Sequence, residues 1–423
     1  MTEVLEYKCP CCSGKIEFDA ESQQMKCPYC DAEITMDAIK EQGDGIPEES
    51  QMDWDISSGE WNQEEIGNMR VYSCRSCGGE IIADQTTSAS KCPYCDNPVV
   101  MTGQFAGDLR PDYVIPFKLD RESAKSALLK HFEGKKLLPK VFRSQHQIDE
   151  IKGVYVPVWL FDAEADASIT FKAHKSKTWH DANFDYEETS YYSAVRKGKM
   201  AFEHIPVDGS SKMDDDLMES IEPFNFKDAV EFQTAYLSGY LADKYDVDSE
   251  QSMKHANERV RKSVEEAFQK TVTGYESIST EKSEIHLENG KAVYALYPVW
   301  LLNISWNGTV YKFAMNGETG KFVGNLPLDK GQAVKKFLLI MTIIAVIAYF
   351  ILYMVSVSLI IGAVIAGIVV GIMWSDLKSV SFKKEANDYI KTGSLNISFR
   401  NDKFLYKKTD KKPREKSENN QKT

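Results

Sequence analysis

The sequence predicts a multidomain chain: two small four-cysteine zinc ribbons, an α+β middle region with two helix-plus-antiparallel-sheet modules, and a C-terminal two-helix transmembrane hairpin. Three observations predict it. A cysteine-rich unit occurs twice with one spacing, a Pro-Val-Trp-Leu segment occurs twice farther on, and Phe337 to Trp374 contains no charged residue. The boundaries fall at 1–36 for the first ribbon, 37–69 for an acidic linker and 70–101 for the second ribbon. They continue at 112–330 for the α+β region, 337–374 for the hairpin and 375–423 for a tail.

The first ribbon reads YKCPCCSGKIEFDAESQQMKCPYCDAEI and the second YSCRSCGGEIIADQTTSASKCPYCDNPV. An offset of 65 aligns them without a gap, placing Cys9, Cys12, Cys27 and Cys30 on Cys74, Cys77, Cys92 and Cys95. Each unit is C-x2-C-x14-C-x2-C. Two close CxxC turns bring four thiolates within tetrahedral reach of one ion, and zinc suits four sulfurs because it is redox-inert and four-coordinate. Pro and Gly beside the cysteines form tight turns that aim backbone N–H groups at sulfur. The expected cofactor is therefore two structural Zn2+ ions, held by Cys9, Cys12, Cys27, Cys30 and by Cys74, Cys77, Cys92, Cys95. Four protein ligands leave no open position for water or substrate, so neither site is catalytic. Cys11 aligns with Ser76 and is read as a free thiol.

The linker carries GDGIPEESQMDWDISSGEWNQEE, in which Trp54 and Trp61 imply that part of it docks. In 112–330, YVPVWLFDAEADASITF from Tyr155 and LYPVWLLNISWNGTVYKF from Leu296 repeat at an offset of 141, each after a helical stretch. The first helix is expected near 121–133 with Asp120 as its N-cap, the second over 249–272, and an amphipathic helix near 226–244 between the modules. Strands are expected at 283–287, 292–304 and 309–315, with turns at Glu288-Asn289-Gly290 and Asn316-Gly317. The PVWL tryptophans are read as core rather than as a ligand pocket.

The apolar segment 337–374 exceeds the roughly 20 helical residues that cross a bilayer core, so two helices turning near Ser356–Ser358 are expected. Lys335, Lys336, Lys378, Lys383 and Lys384 flank it and place both ends on the cytoplasmic side. A two-pass cell-membrane protein with cytoplasmic N- and C-terminal parts follows, in a reducing compartment that favours zinc over disulfides. Met1 to Lys8 is polar and reads as no signal peptide. Ala363, Gly367 and Gly371 provide a small-residue stripe for packing against the first helix. In the tail, SLNISFRNDKFLY predicts a β-hairpin around Arg400–Lys403, and KKTDKKPREKSENNQKT a disordered basic end suited to anionic lipid.

The charge is divided: net −20 before residue 331 and +8 from there on. Residues 1–40 hold four basic and eight acidic side chains, and 70–101 three of each. Phosphate binding needs a basic face, so nucleic acid is an unfavoured partner and a protein partner is favoured. No P-loop, HExxH or GxSxG occurs, and the seven histidines are scattered without partners at metal spacing. Asp214-Asp215-Asp216 reads as a solvated acidic loop. The chain is therefore expected not to be an enzyme.

Together, KCPYC in both ribbons, DYVIPFK, GVYVPVWLFD, YPVWLLNISWNG and YKFAMNGETGKFVG resemble a bacterial membrane protein family with duplicated transcription-factor-IIB-type zinc ribbons. Such chains are often auto-named primosomal or replication-restart helicases, but this one lacks the ATP-binding loop a helicase needs. The resemblance implies the eight zinc ligands above, no catalysis, and a place in an envelope or membrane-stress response. The function expected is a non-enzymatic, membrane-anchored zinc-ribbon adaptor for cytoplasmic protein partners, with the two ribbons as two docking points. A membrane-tethered nucleic-acid-binding ribbon protein is the alternative.

Overall fold

A computed structural model describes residues 9, 14–19, 24–30, 32–34, 55–56, 59–61, 65–66, 69–84, 91–104, 109–352, 355–381 and 385–414. The first ribbon contributes β1 (Glu17–Asp19), β2 (Gln24–Lys26) and β3 (Glu33–Ile34). The second contributes β4 (Met69–Cys74), β5 (Glu80–Asp84) and β6 (Val99–Gln104). Helix α1 (Arg121–Phe132) follows, with the Asp120 carboxylate accepting from the Ser123 N–H at 2.8 Å as its N-cap. Then come the long strands β7 (Lys152–His180) and β8 (Phe184–Asp208), the short α2 (Asp215–Ile221) and β9 (Leu241–Asp243). Helix α3 (Ser249–Gln269), β10 (Ser277–Trp306) and β11 (Thr309–Asn316) complete the middle. Helices α4 (Lys330–Leu352) and α5 (Val355–Ser375) and strand β12 (Asn396–Pro413) end the described chain.

These twelve strands and four shorter ones form one 16-stranded mixed sheet. This overturns the expected fold class of separate ribbons, α+β modules and a membrane hairpin. At the centre, β7 pairs antiparallel with β8 on one side and β10 on the other. The second ribbon joins through β9, which runs parallel to β7 at Val154–Tyr155 and antiparallel to β5. The first ribbon joins through β3, which pairs Ile34 with Tyr406 of β12. Ribbons have short sheets with open edges, and pairing those edges with longer strands satisfies backbone groups that would otherwise be left as bare templates.

The alternation of Ala163, Ala165, Ala167, Ile169, Phe171 and Ala173 buries one face of β7, while Val154 to Phe161 is buried on both. The two PVWL segments lie across from each other. Val156 pairs with Tyr297, its equivalent at the repeat offset of 141, so a local two-fold axis passes through that pair. Each half is a helix followed by an antiparallel hairpin, α1–β7–β8 and α3–β10–β11. Trp159 donates Nε1–H to Val247 O at 2.9 Å and Trp300 to Leu119 O at 3.0 Å, which fixes both as satisfied core residues.

Several local expectations give way to longer pairing. The presumed turn at Glu288-Asn289-Gly290 is a bulge within β10: the register passes from Asp162↔Lys291 to Glu164↔Glu288, and Asn289 takes φ 54°. The amphipathic helix near 226–244 is absent. That stretch forms 3-10 turns at Phe226–Asp228 and Thr234–Leu237, then β9. The tail hairpin around Arg400–Lys403 is instead the single strand β12, which continues through the basic residues expected to be disordered as far as Pro413. Lys407 lies beside Glu188 and Glu33, and Arg414 beside Asp185, so the basic end seats on an acidic edge. Residues 415–423, Trp54 and most of 37–69 lie outside the described residues, but Trp61 meets Phe232 edge-on at 5.6 Å.

The expected transmembrane hairpin at 337–374 is corrected as well. Among the described residues no helix is long and apolar enough to cross a membrane. Helix α4 opens through Lys330, Lys335 and Lys336, so its first two turns are not apolar. The side chains of 348–358 lie outside the described residues. The two-pass cell-membrane location with cytoplasmic ends falls with it. The close contact between α4 and α5 is at Gly362, where an added Cβ would meet Met341 O at 2.7 Å; at Gly367 and Gly371 it would meet open space.

At Gly198 the β8–β12 register shifts, and a Cβ would lie 2.1 Å from Asn396 O. Gly198→Ala is expected to cost about 1–3 kcal/mol, as overpacking does. A urea titration checks it, and an unchanged midpoint would show that β12 is not held here.

Candidate metal centres

The second cysteine set closes fully. The sulfurs of Cys74, Cys77, Cys92 and Cys95 all lie within 4.8 Å of one another, with Cys74–Cys95 at 3.5 Å and Cys77–Cys92 at 3.6 Å. Strand β4 ends on Cys74, and the chain then turns through Gly78, whose φ of 73° is open to glycine. Cys74 N–H donates to Gly79 O, and Cys92 N–H donates to Asn97 O at 2.8 Å. Tyr94 N–H points at Cys92 Sγ at 3.4 Å, and the Asn97 side-chain amide at Cys95 Sγ at 3.4 Å. These donors favour thiolate over thiol.

The four thiols differ in setting. Cys74 and Cys92 are wholly buried. Burial pushes the Cys92 thiol far up, and burial also raises Cys77. At Cys95 burial is outweighed by the Asn97 side chain and backbone N–H and by neighbouring thiols, which bring it down to about 7. A buried sulfur that resists ionisation in isolation is what a cation would stabilise, so the set fits a metal ion.

The first set repeats the geometry. Cys9, Cys27 and Cys30 have sulfurs within 4.8 Å of one another, and Cys9–Cys30 is 3.6 Å. Cys9 N–H donates to Gly14 O and Cys27 N–H to Ala32 O, the same two bonds as in the second ribbon at an offset of 65. Cys12 and Cys11 lie outside the described residues. Cys74, Cys77, Cys92 and Cys95 are free thiols. Two cysteine groups could therefore hold metal ions.

The ribbons differ in how their second knuckles are placed. In the second, Tyr94 of Cys-Pro-Tyr-Cys is 4% exposed, in a core with Val154, Val156 and Leu217, and Asn303 donates to Pro93 O at 2.8 Å. Lys152 donates to Cys92 O at 3.3 Å and pairs with Asp96. In the first, the equivalent Tyr29 is 75% exposed, and the ribbon rests on Leu405 and Tyr406 of β12 instead. Identical knuckle sequences gave no sign of this difference, because it depends on what lies beneath each knuckle.

Among curated proteins, the uncharacterized protein YdjG of Bacillus subtilis (strain 168) is 32% identical over 238 residues, which span 56% of this chain and 70% of that protein. No family model matches the chain, and no solved structure matches it.

Proposed function

This chain belongs to the family of YdjG of Bacillus subtilis, and on that premise we propose a non-enzymatic zinc-ribbon adaptor that binds a protein partner. Two zinc ions hold Cys9, Cys12, Cys27, Cys30 and Cys74, Cys77, Cys92, Cys95, each as a structural four-sulfur centre. The observation that carries the reading is the contrast between Tyr29, exposed at the tip of its knuckle, and Tyr94, sealed in the core. The second ribbon is thus a structural staple, and the first displays an aromatic side chain on a rigid turn. Exposed tyrosines on rigid supports are common anchors of protein interfaces. Bivalent docking through two equivalent knuckles is replaced by docking through one.

The test is affinity capture with the tagged full chain and a Tyr29→Ala variant. A partner retained by the wild type and lost from the variant, with both holding two zinc ions by elemental analysis, supports the adaptor. Equal capture by both moves the contact elsewhere. Recovery of nucleic acid with a steep salt dependence would replace the reading with the nucleic-acid alternative.

A further inference from the structure

A cleft of about 390 Å³ opens between α2, α3 and the sheet, bordering the core that holds the second ribbon. Its size is that of a small-molecule site. Exposed Ser211, Asp215 and Gln251 stand at its mouth, and buried Glu222, Arg259 and Tyr297 lie deeper. Val158, Met213, Met218 and Phe224 give it apolar walls.

Two of its carboxyls stand outside its ion pairs. Glu222 pairs with Arg259 at 2.6 Å, and Glu219 with His255 at 2.6 Å. Asp208 and Asp215 remain, and neither forms an ion pair among the described residues. Asp208 accepts from Ser210 N–H through Oδ1, while its buried Oδ2 has no partner. Burial, with Asp243 and Asp215 nearby, holds this carboxyl well above the usual carboxylate range. Ser252 Oγ and Tyr297 Oη are also buried without hydrogen-bond partners. Buried polar atoms are seldom left so, and a cluster of them beside a cleft offers hydrogen-bonding groups to an occupant.

We propose that this cleft binds a small organic ammonium ion with an aliphatic or aromatic body. The two unpaired carboxyls receive the cationic end, and the methionine, valine and phenylalanine walls receive the body. A single divalent cation fits less well: among the described residues no three of the lining carboxylates and His255 bring ligand atoms within reach of one ion. The cleft contributes no cysteine, so the proposal is independent of the adaptor reading.

Isothermal titration of the full chain with cadaverine, spermidine and phenethylamine tests it, with hexanoate as the anionic control. Saturable binding of at least one amine is expected. Asp208→Asn and Asp215→Asn are each expected to weaken it about tenfold to a hundredfold, the range for losing a hydrogen bond to a charged group. Asp214→Asn, outside the lining, is expected to leave it unchanged. Circular dichroism and zinc content show that each variant is folded; Asp208→Asn keeps shape and removes no ion pair, and Asp215 lies at the exposed mouth. Three results would each overturn the assignment: no saturable binding by any amine up to about 10 mM, equal binding by both lining variants, or tighter binding of hexanoate.

Discussion

Arg259→Met is expected to destabilise the chain by about 3–5 kcal/mol, the cost of stranding a buried charge. Arg259 is 1% exposed, and its guanidinium donates to both carboxylate oxygens of Glu222, to Pro206 O at 2.7 Å and to Glu385 O at 3.3 Å. It joins α3 to the end of β8, to the segment after α2 and to the segment before β12. Removing it takes from buried Glu222 the guanidinium that meets both of its carboxylate oxygens, and takes one donor each from Pro206 O and Glu385 O. The double variant Arg259→Met/Glu222→Gln is expected to recover part of the loss, because the stranded charge is then gone. Urea unfolding of the three proteins checks this, and a loss under about 1 kcal/mol in the single variant would show that the pair is not buried in solution.

Cys92→Ser is expected to have the second large effect. Structural zinc sites contribute on the order of 10 kcal/mol to the folding of the units they close, and Cys92 sits in the core that Tyr94, Val154, Val156 and Leu217 share. The variant is expected to hold one zinc ion in place of two and to unfold at a much lower temperature. Cys27→Ser is expected to remove the other ion, but among the described residues its ribbon packs against β12 and Tyr191 of β8 rather than into the central core, so most of the melting transition is expected to persist. Elemental analysis beside calorimetry separates the two. Equal melting of both variants would contradict the unequal embedding of the ribbons.

What was legible in the sequence was local. The cysteine spacing, the 65-residue offset and the Asp120 cap are set within a few residues, and each is found in the structure among the residues described. The long strands were not legible for a specific reason: Glu288-Asn289-Gly290 has turn chemistry, but the pairing on either side of it holds the backbone extended as a bulge. The basic run after Lys407 has the composition of a disordered tail, and only the acidic edge of β8 makes it a strand. The apolar segment 337–374 was legible as helical, since α4 and α5 occupy it, but not as a membrane crossing. The cleft was invisible because His255 and Glu219 are 36 residues apart, and Tyr297 reaches it from β10, farther along the chain. A scattered histidine in the sequence thus has a carboxylate partner in the fold.

The pairing of Ile34 with Tyr406 has a consequence for how the molecule is made. A ribosome adding roughly 5–20 residues per second needs on the order of tens of seconds to travel from one to the other. During that time the first ribbon has no strand to lean on, while the second, whose partner β9 ends at Asp243, is seated much earlier. The first ribbon therefore waits beside the growing chain, free to meet other molecules, and is attached only once β12 has been made.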